Sequence, residues 1–187
     1  MTPLVDSVTK GLSLLVITSD AAALLILFAL LARRFGKVNP ITNRIIKFFG
    51  AHAFILAFSI ASGSLLSSLF YSEVAGFAPC LLCWWQRIFF YPQVVLFAVA
   101  FLKKDGEIED YIIALSAIGG IIAAYHSYLQ FGGSPLVPCS ASAVAASCAQ
   151  RYFLEFGYIT IPTMALTGFT LIPLLMLAKK ANKLNYD

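Results

Sequence analysis

Charge is scarce in this chain. Of 187 residues, 13 are Lys or Arg and 9 are Asp or Glu, together 12%, whereas 60% are hydrophobic. A soluble domain carries about 25% charged residues, so an ordinary water-soluble fold is excluded. Low-complexity tracts and internal repeats are also absent. The apolar runs lack strict alternation, which argues against a membrane β-barrel, whose strands need about 9–11 alternating residues. The basic segments contain no cysteine, although the chain has 4.

Five apolar stretches are present, at about Leu12–Ala32, Phe48–Phe70, Cys83–Leu102, Tyr111–Phe131 and Thr160–Ala178. Each is long enough to cross a hydrocarbon core of ~30 Å as a helix. The expected fold is an all-α integral membrane protein with five transmembrane helices. The first stretch is too long for the apolar region of a signal peptide. Its strongest charges, Arg33 and Arg34, come after it rather than before, so it reads as a retained helix with its N-terminus outside.

Basic residues set the expected orientation. Ten of the 13 fall on one side: Arg33, Arg34, Lys37, Arg44 and Lys47 in loop 33–47, Lys103 and Lys104 in loop 103–110, and Lys179, Lys180 and Lys183 in the tail. The other side has Lys10 and Arg151, with Arg87 just inside a helix. The positive-inside rule puts the ten in the cytoplasm. The net charge of +4 therefore reports topology, and nucleic-acid binding is not expected. All four cysteines then lie on the extracytoplasmic face, where disulfides persist.

The cysteines form two close pairs. Cys80-Leu81-Leu82-Cys83 opens the third stretch, preceded by Pro79, which suits a first helical turn. A helix N-terminus stabilises thiolate, and Arg87, four residues beyond Cys83, lies on the same face. Arginine is costly in a membrane helix unless it has a task. The competing reading, a structural disulfide with a snorkelling arginine, is the weaker one. Cys139 and Cys148 lie in a polar loop, 132–156, which begins Gly132-Gly133-Ser134-Pro135 and in which Ser140 could cap a short Ala-rich helix. In isolation this pair could be a structural clip. A four-cysteine zinc site is disfavoured by the spacing, and no metal is expected. His126 stands about one turn below the outer end of the fourth stretch, with Gln130 on its face and Arg87 at matching depth. These positions suggest one shared polar pocket. His52 reads as an interface residue, and the mid-span Asp20 has no assigned role.

The residues Cys80-Leu81-Leu82-Cys83-Trp84-Trp85-Gln86-Arg87, continuing to Tyr91-Pro92, resemble the signature of the DsbB family, particularly its BdbC-like branch. Tyr125-His126-Ser127-Tyr128-Leu129-Gln130, Cys148-Ala149-Gln150-Arg151 and Ile161-Pro162 resemble further family segments, over roughly Arg44 to Lys180. The resemblance implies a four-helix core within 44–187, with 1–43 as an extra N-terminal helix and cytoplasmic loop. It implies a membrane thiol:quinone oxidoreductase of the bacterial cytoplasmic membrane. A ubiquinone or menaquinone would sit beside Cys83, with Gln86, Arg87 and His126 around it. The partner would be a DsbA-like, thioredoxin-fold dithiol protein outside the cytoplasm, attacking Cys139–Cys148 at Cys139. Electrons would then pass to Cys80–Cys83 and on to quinone. Two other classes are an outward thiol-reductant conduit, which would need an electron source on the cysteine-free inner face, and a structural subunit with two disulfide clips. In a VKOR-type enzyme the C-x-x-C follows the loop cysteines, the reverse of the order here.

Overall fold

Capping residues start the first two helices. In a computed structural model describing residues 2–36, 39–103, 107–135 and 147–183, Thr2 accepts a hydrogen bond from Val5 N–H and Pro3 opens α1, Pro3–Arg34. Asn39 and Thr42 form a capping box for α2, Pro40–Leu69, which runs into a π-helical turn, Phe70–Val74. The remaining helices are α3, Leu81–Lys103, α4, Glu109–Gln130, and α5, Ile161–Lys183. All five are long and apolar enough to cross a membrane, and among the described residues the only β feature is an isolated bridge, Glu155–Ile159. This is a multi-pass membrane protein. Cys139, Ser140 with its expected helix, Lys37 and Lys104 lie outside the described residues.

Two boundaries differ from the sequence reading. The loop drawn over 33–47 is short, because α2 begins at Pro40 and takes Arg44 and Lys47 into its first turns. Pro79 does not open α3. The helix begins at Leu81, with Cys80 immediately before it.

Helices α2, α3, α4 and α5 pack as a ring in which each touches its two neighbours, and α1 lies on the seam between α2 and α5. Only 11% of the apolar span of α1 is covered by protein, against 44% for α5, so α1 is peripheral and α5 central. Lipid is as apolar as leucine, so close packing and hydrogen bonds hold such helices together. Phe90 stacks on Phe169 at 3.8 Å, Phe97 meets Phe54 edge-on, and Gly119 faces the Phe169 ring. Asp20 docks α1 by accepting from Tyr158 Oη at 2.9 Å and from Thr167 Oγ1 of α5 at 2.7 Å. His52 is exposed and pairs with the Phe48 carbonyl at 2.9 Å.

The two ends of the ring differ. At one end, called here the basic end, Lys179, Lys180 and Lys183 pair with Glu109, Asp110 and Glu107, and Arg33 Nη1 donates to the Ala181 carbonyl at 2.8 Å. The other, thiol end carries Cys80, Cys83 and Cys148. There α4 stops because Gly132, at φ 92°, takes the left-handed conformation that closes a helix, with Gly133 N–H bonding back to the Tyr128 carbonyl at 3.0 Å.

Candidate functional site

Cys80 occupies the capping position of α3. Its carbonyl accepts from Trp84 N–H at 3.2 Å, and its Sγ accepts from Cys83 N–H at 3.4 Å. The sulfur thus takes the role that serine or aspartate oxygen plays at other helix starts, where unpaired N–H groups favour negative charge. Cys80 and Cys83 are free thiols with sulfurs 3.1 Å apart, whereas Cys148 is disulfide-bonded. In the reduced pair the Cys80 thiol is held well below the ordinary thiol range. The main cause is the hydrogen bond from Cys83; burial opposes it and His126 adds to it.

His126, 2% exposed, links three parts of the site. Its Nε2 lies 3.5 Å from Cys80 Sγ and 3.1 Å from the Cys148 carbonyl, and its Nδ1 lies 2.9 Å from the Gln86 amide. Cys80, Leu129 and Cys148 pack together, with Leu82, Cys83 and Tyr125 against them. The segment after Cys148 is pinned in place. Tyr152 donates to the Ala78 carbonyl at 2.9 Å and stacks on Phe77 at 4.3 Å, and Gln130 Nε2 donates to the Gln150 carbonyl at 2.8 Å. A cavity of about 20 Å³ remains between these groups, lined among others by Cys80, Cys83, His126, Gln130 and Tyr152. The Gln130 Oε1 atom is buried without a partner. Donor atoms of Cys80, Cys83 and His126 all lie within 4.8 Å of one another, a metal-type donor set that the sequence reading did not foresee.

Arg87 does not share this pocket. It is 7% exposed, and its guanidinium turns to the end of α2, where Nε bonds Ser68 Oγ and Nη2 bonds the Ser68 carbonyl and Ser72 Oγ, each at 2.9 Å. Its Cζ sits 5.0 Å from the Trp84 ring centre. No carboxylate pairs with it among the described residues. Arg87 lines a second cavity of about 70 Å³, with Cys83, Gln86, Tyr91, Ser64 and Met164 among its walls. The Tyr91 hydroxyl there is buried and unpartnered. Ser64, Ser67 and Met164 also border an apolar groove of about 300 Å³ between α2 and α5, to which α1 contributes Leu12, Leu15, Val16 and Ser19.

The expected single pocket is therefore two cavities, with Cys83 and Gln86 between His126 and Arg87. The physical reason is rotation around α3: a residue four positions on shares a face only approximately, and Ser68 in the last turn of α2 and Ser72 in the π-turn meet Arg87. No pattern in the sequence marks these serines or the Cys148 carbonyl as members of the site, and Tyr91 stands out there only as the continuation of the family signature.

The family description "Disulfide bond formation protein DsbB" matches residues 50–178. The SPbeta prophage-derived disulfide bond formation protein B of Bacillus subtilis is 42% identical over 119 residues, 64% of this chain and 79% of that protein. Disulfide bond formation protein C of the same organism is 37% identical over 127 residues, 66% of this chain and 89% of that protein. No solved structure matches the chain. With its thiol pair at a helix start, a further cysteine packed against it, and α3, α4 and most of α2 and α5 inside the match, the chain belongs to the DsbB family of disulfide bond formation proteins.

Proposed function

We propose that this protein is a thiol:quinone oxidoreductase that re-oxidises a thioredoxin-fold, DsbA-like dithiol protein outside the cytoplasm. The observation that carries the reading is that Cys83 borders both cavities, one holding Cys80, His126 and the Cys148 region and the other holding Arg87 and Tyr91. The redox core is the four-helix ring within 44–187, and 1–43 adds an accessory helix.

Cys148 is 1% exposed and lies against Cys80, so the partner's thiolate enters at Cys139, breaking the Cys139–Cys148 disulfide and releasing the Cys148 thiolate. The partner's second thiol then displaces Cys139, and the partner leaves oxidised. The Cys139/Cys148 dithiol next reduces the Cys80–Cys83 disulfide by the same exchange. His126 orients the leaving Cys80 sulfur, which its capping position and hydrogen bonds keep as thiolate. Cys83, on the wall shared with Arg87, closes the disulfide with Cys80 as the electron pair leaves the pair. A ubiquinone or menaquinone in the Arg87 cavity would supply the acceptor for that electron pair and two protons. The residues present fit such a group. Arg87 is a buried cation with no carboxylate partner among the described residues, suited to developing negative charge. The Tyr91 hydroxyl is a free donor for a ring carbonyl, and the adjoining groove is apolar as a prenyl tail requires.

The thiol end is extracytoplasmic in this reading, in a bacterial cytoplasmic membrane, by the asymmetry of basic residues. Single cysteines introduced at Asn39 and Ser134 test it: an impermeant maleimide applied to intact cells labels Ser134→Cys and spares Asn39→Cys. The reverse pattern overturns the orientation. The activity is tested by mixing purified protein anaerobically with quinone and a reduced thioredoxin-fold protein. Quinone absorbance falls as partner thiols disappear, in equal molar amounts of quinone and dithiol. Unchanged absorbance with well-folded protein rejects the quinone reading.

A further inference from the structure

We propose that the reduced Cys80–Cys83 pair and His126 form a three-ligand site for a soft divalent cation, zinc first, and that Gln130 holds the water completing its coordination. Thiolate and imidazole are the donors zinc prefers, and three protein ligands plus one water is a recurrent zinc arrangement. A tetrahedral zinc with bonds of about 2.3 Å to sulfur and 2.0–2.1 Å to nitrogen needs about 3.8 Å between sulfurs and about 3.6 Å between sulfur and nitrogen. Cys80 Sγ and His126 Nε2 stand 3.5 Å apart, and the two sulfurs stand 3.1 Å apart. Only a small parting of the thiols is required, at a helix start where Cys80 precedes the first helical residue.

Two independent features point to a ligand here. The cavity of about 20 Å³ bordered by Cys80, Cys83 and His126 has room for one water. Gln130, 6% exposed, lines the same cavity, and its Oε1 is an unpartnered acceptor. A metal-bound water is a strong donor to such an oxygen. On the far side of the ring, His126 Nδ1 lies 2.9 Å from the Gln86 amide. With the amide turned so that its oxygen accepts from Nδ1–H, Gln86 holds the imidazole with Nε2 unprotonated, and the metal takes the place of the 3.1 Å contact between Nε2 and the Cys148 carbonyl.

Binding takes Cys80 as the thiolate, releases the proton of Cys83 and forms two metal–sulfur bonds, with no change of oxidation state. It demands the dithiol, because a closed disulfide has no thiolate to offer. Occupancy ties up both sulfurs, so the cation acts as a reversible stop on the reduced form. Neither quinone nor partner enters this step, so its failure and the failure of the electron-transfer reading are separable.

The test uses the full chain in detergent with Cys139→Ser and Cys148→Ser, leaving one dithiol, reduced anaerobically and freed of reductant. Zn²⁺ is titrated against a chromophoric chelator, and Co²⁺ serves as a spectroscopic reporter. One Zn²⁺ per chain is expected, together with tetrahedral Co²⁺ bands carrying thiolate charge transfer; both vanish after oxidation to the disulfide. Gln130→Leu weakens binding by the ~10–100-fold typical of outer-shell changes, and His126→Ala weakens it further and alters the Co²⁺ spectrum. In the unsubstituted reduced chain, Zn²⁺ protects Cys80 and Cys83 from alkylation, read residue by residue by mass spectrometry. The proposal falls if the reduced chain binds no stoichiometric Zn²⁺. Equal binding by the disulfide form, or full alkylation of both thiols under saturating Zn²⁺, also overturns it.

Discussion

At the basic end of the bundle, Lys179 reaches Glu109 at 3.0 Å, Lys180 reaches Asp110 at 2.7 Å and Lys183 reaches Glu107 at 3.3 Å, tying α5 to the start of α4 and the residues before it. At the thiol end no ion pair crosses between helices among the described residues. Neutral hydrogen bonds, a sulfur cap and an aromatic stack join the chain there instead. Buried side-chain acceptors and hydroxyls without a partner, such as Tyr91 Oη and Gln130 Oε1, also lie away from the basic end. At one end the three lysines of α5 are paired with carboxylates, and the other keeps unpartnered polar atoms and a buried cation whose hydrogen-bond partners are neutral. A site whose job is to receive a thiol, a cofactor or a proton needs such unfilled positions. A fastening does not.

Substitutions can break or sharpen this contrast, and the largest effect belongs to Cys83. Cys83→Ser should reduce anaerobic quinone reduction to background while the Cys139–Cys148 disulfide still reacts with partner. Retained quinone reduction would remove the link between the two cavities. Arg87→Gln comes next. Losing one contact at an anion-stabilising site costs ~2.7–4 kcal/mol, or about 10²–10³ in rate, read as turnover in protein with normal membrane insertion. Arg87→Lys should lose less, keeping the charge without the planar fork. Wild-type turnover in Arg87→Gln would make Arg87 an anchor only.

The pH dependence of Cys80 gives a smaller, sharper test. An ordinary thiol loses reactivity about tenfold per pH unit below its pKa of ~8.5. Cys80, held below that range by the Cys83 hydrogen bond and His126, should keep its alkylation rate in the reduced chain down to mildly acidic pH. A drop beginning on the alkaline side of neutrality would contradict the capped thiolate. At the basic end, a methyl group on Gly50 would meet the Ala178 carbonyl oxygen at 2.7 Å, a backbone atom with little freedom to move. Gly50→Ala should cost ~1–3 kcal/mol of stability, measured by denaturant unfolding in micelles, with unchanged turnover per folded molecule. Lys180→Ala should be smallest, at most ~1 kcal/mol, since Lys180 and Asp110 are both exposed. A loss of turnover in either variant would mean that the ends are coupled rather than independent.

The sequence by itself determined the class of fold, the number of spans and the presence of a redox-type thiol pair. Hydropathy, helix caps and a C-x-x-C beside an arginine are local properties, legible over a few residues at a time. It also carried the family resemblance across the four-helix ring. Only the tertiary structure decided which groups meet. Cys148 lies against Cys80 because Tyr152, Phe77 and Gln130 pin the returning loop, contacts spanning up to 74 residues of chain. Arg87 and His126 part into separate cavities because Ser68 at the end of α2 and Ser72 in the π-turn offer hydroxyls to one, while the Cys148 carbonyl meets the other. Asp20, a lone carboxylate in the sequence, becomes the hydrogen-bonded tie of α1 to α5. Such pairings depend on helix rotation and depth, which hydropathy leaves undetermined because lipid accepts any apolar face and only packing selects one.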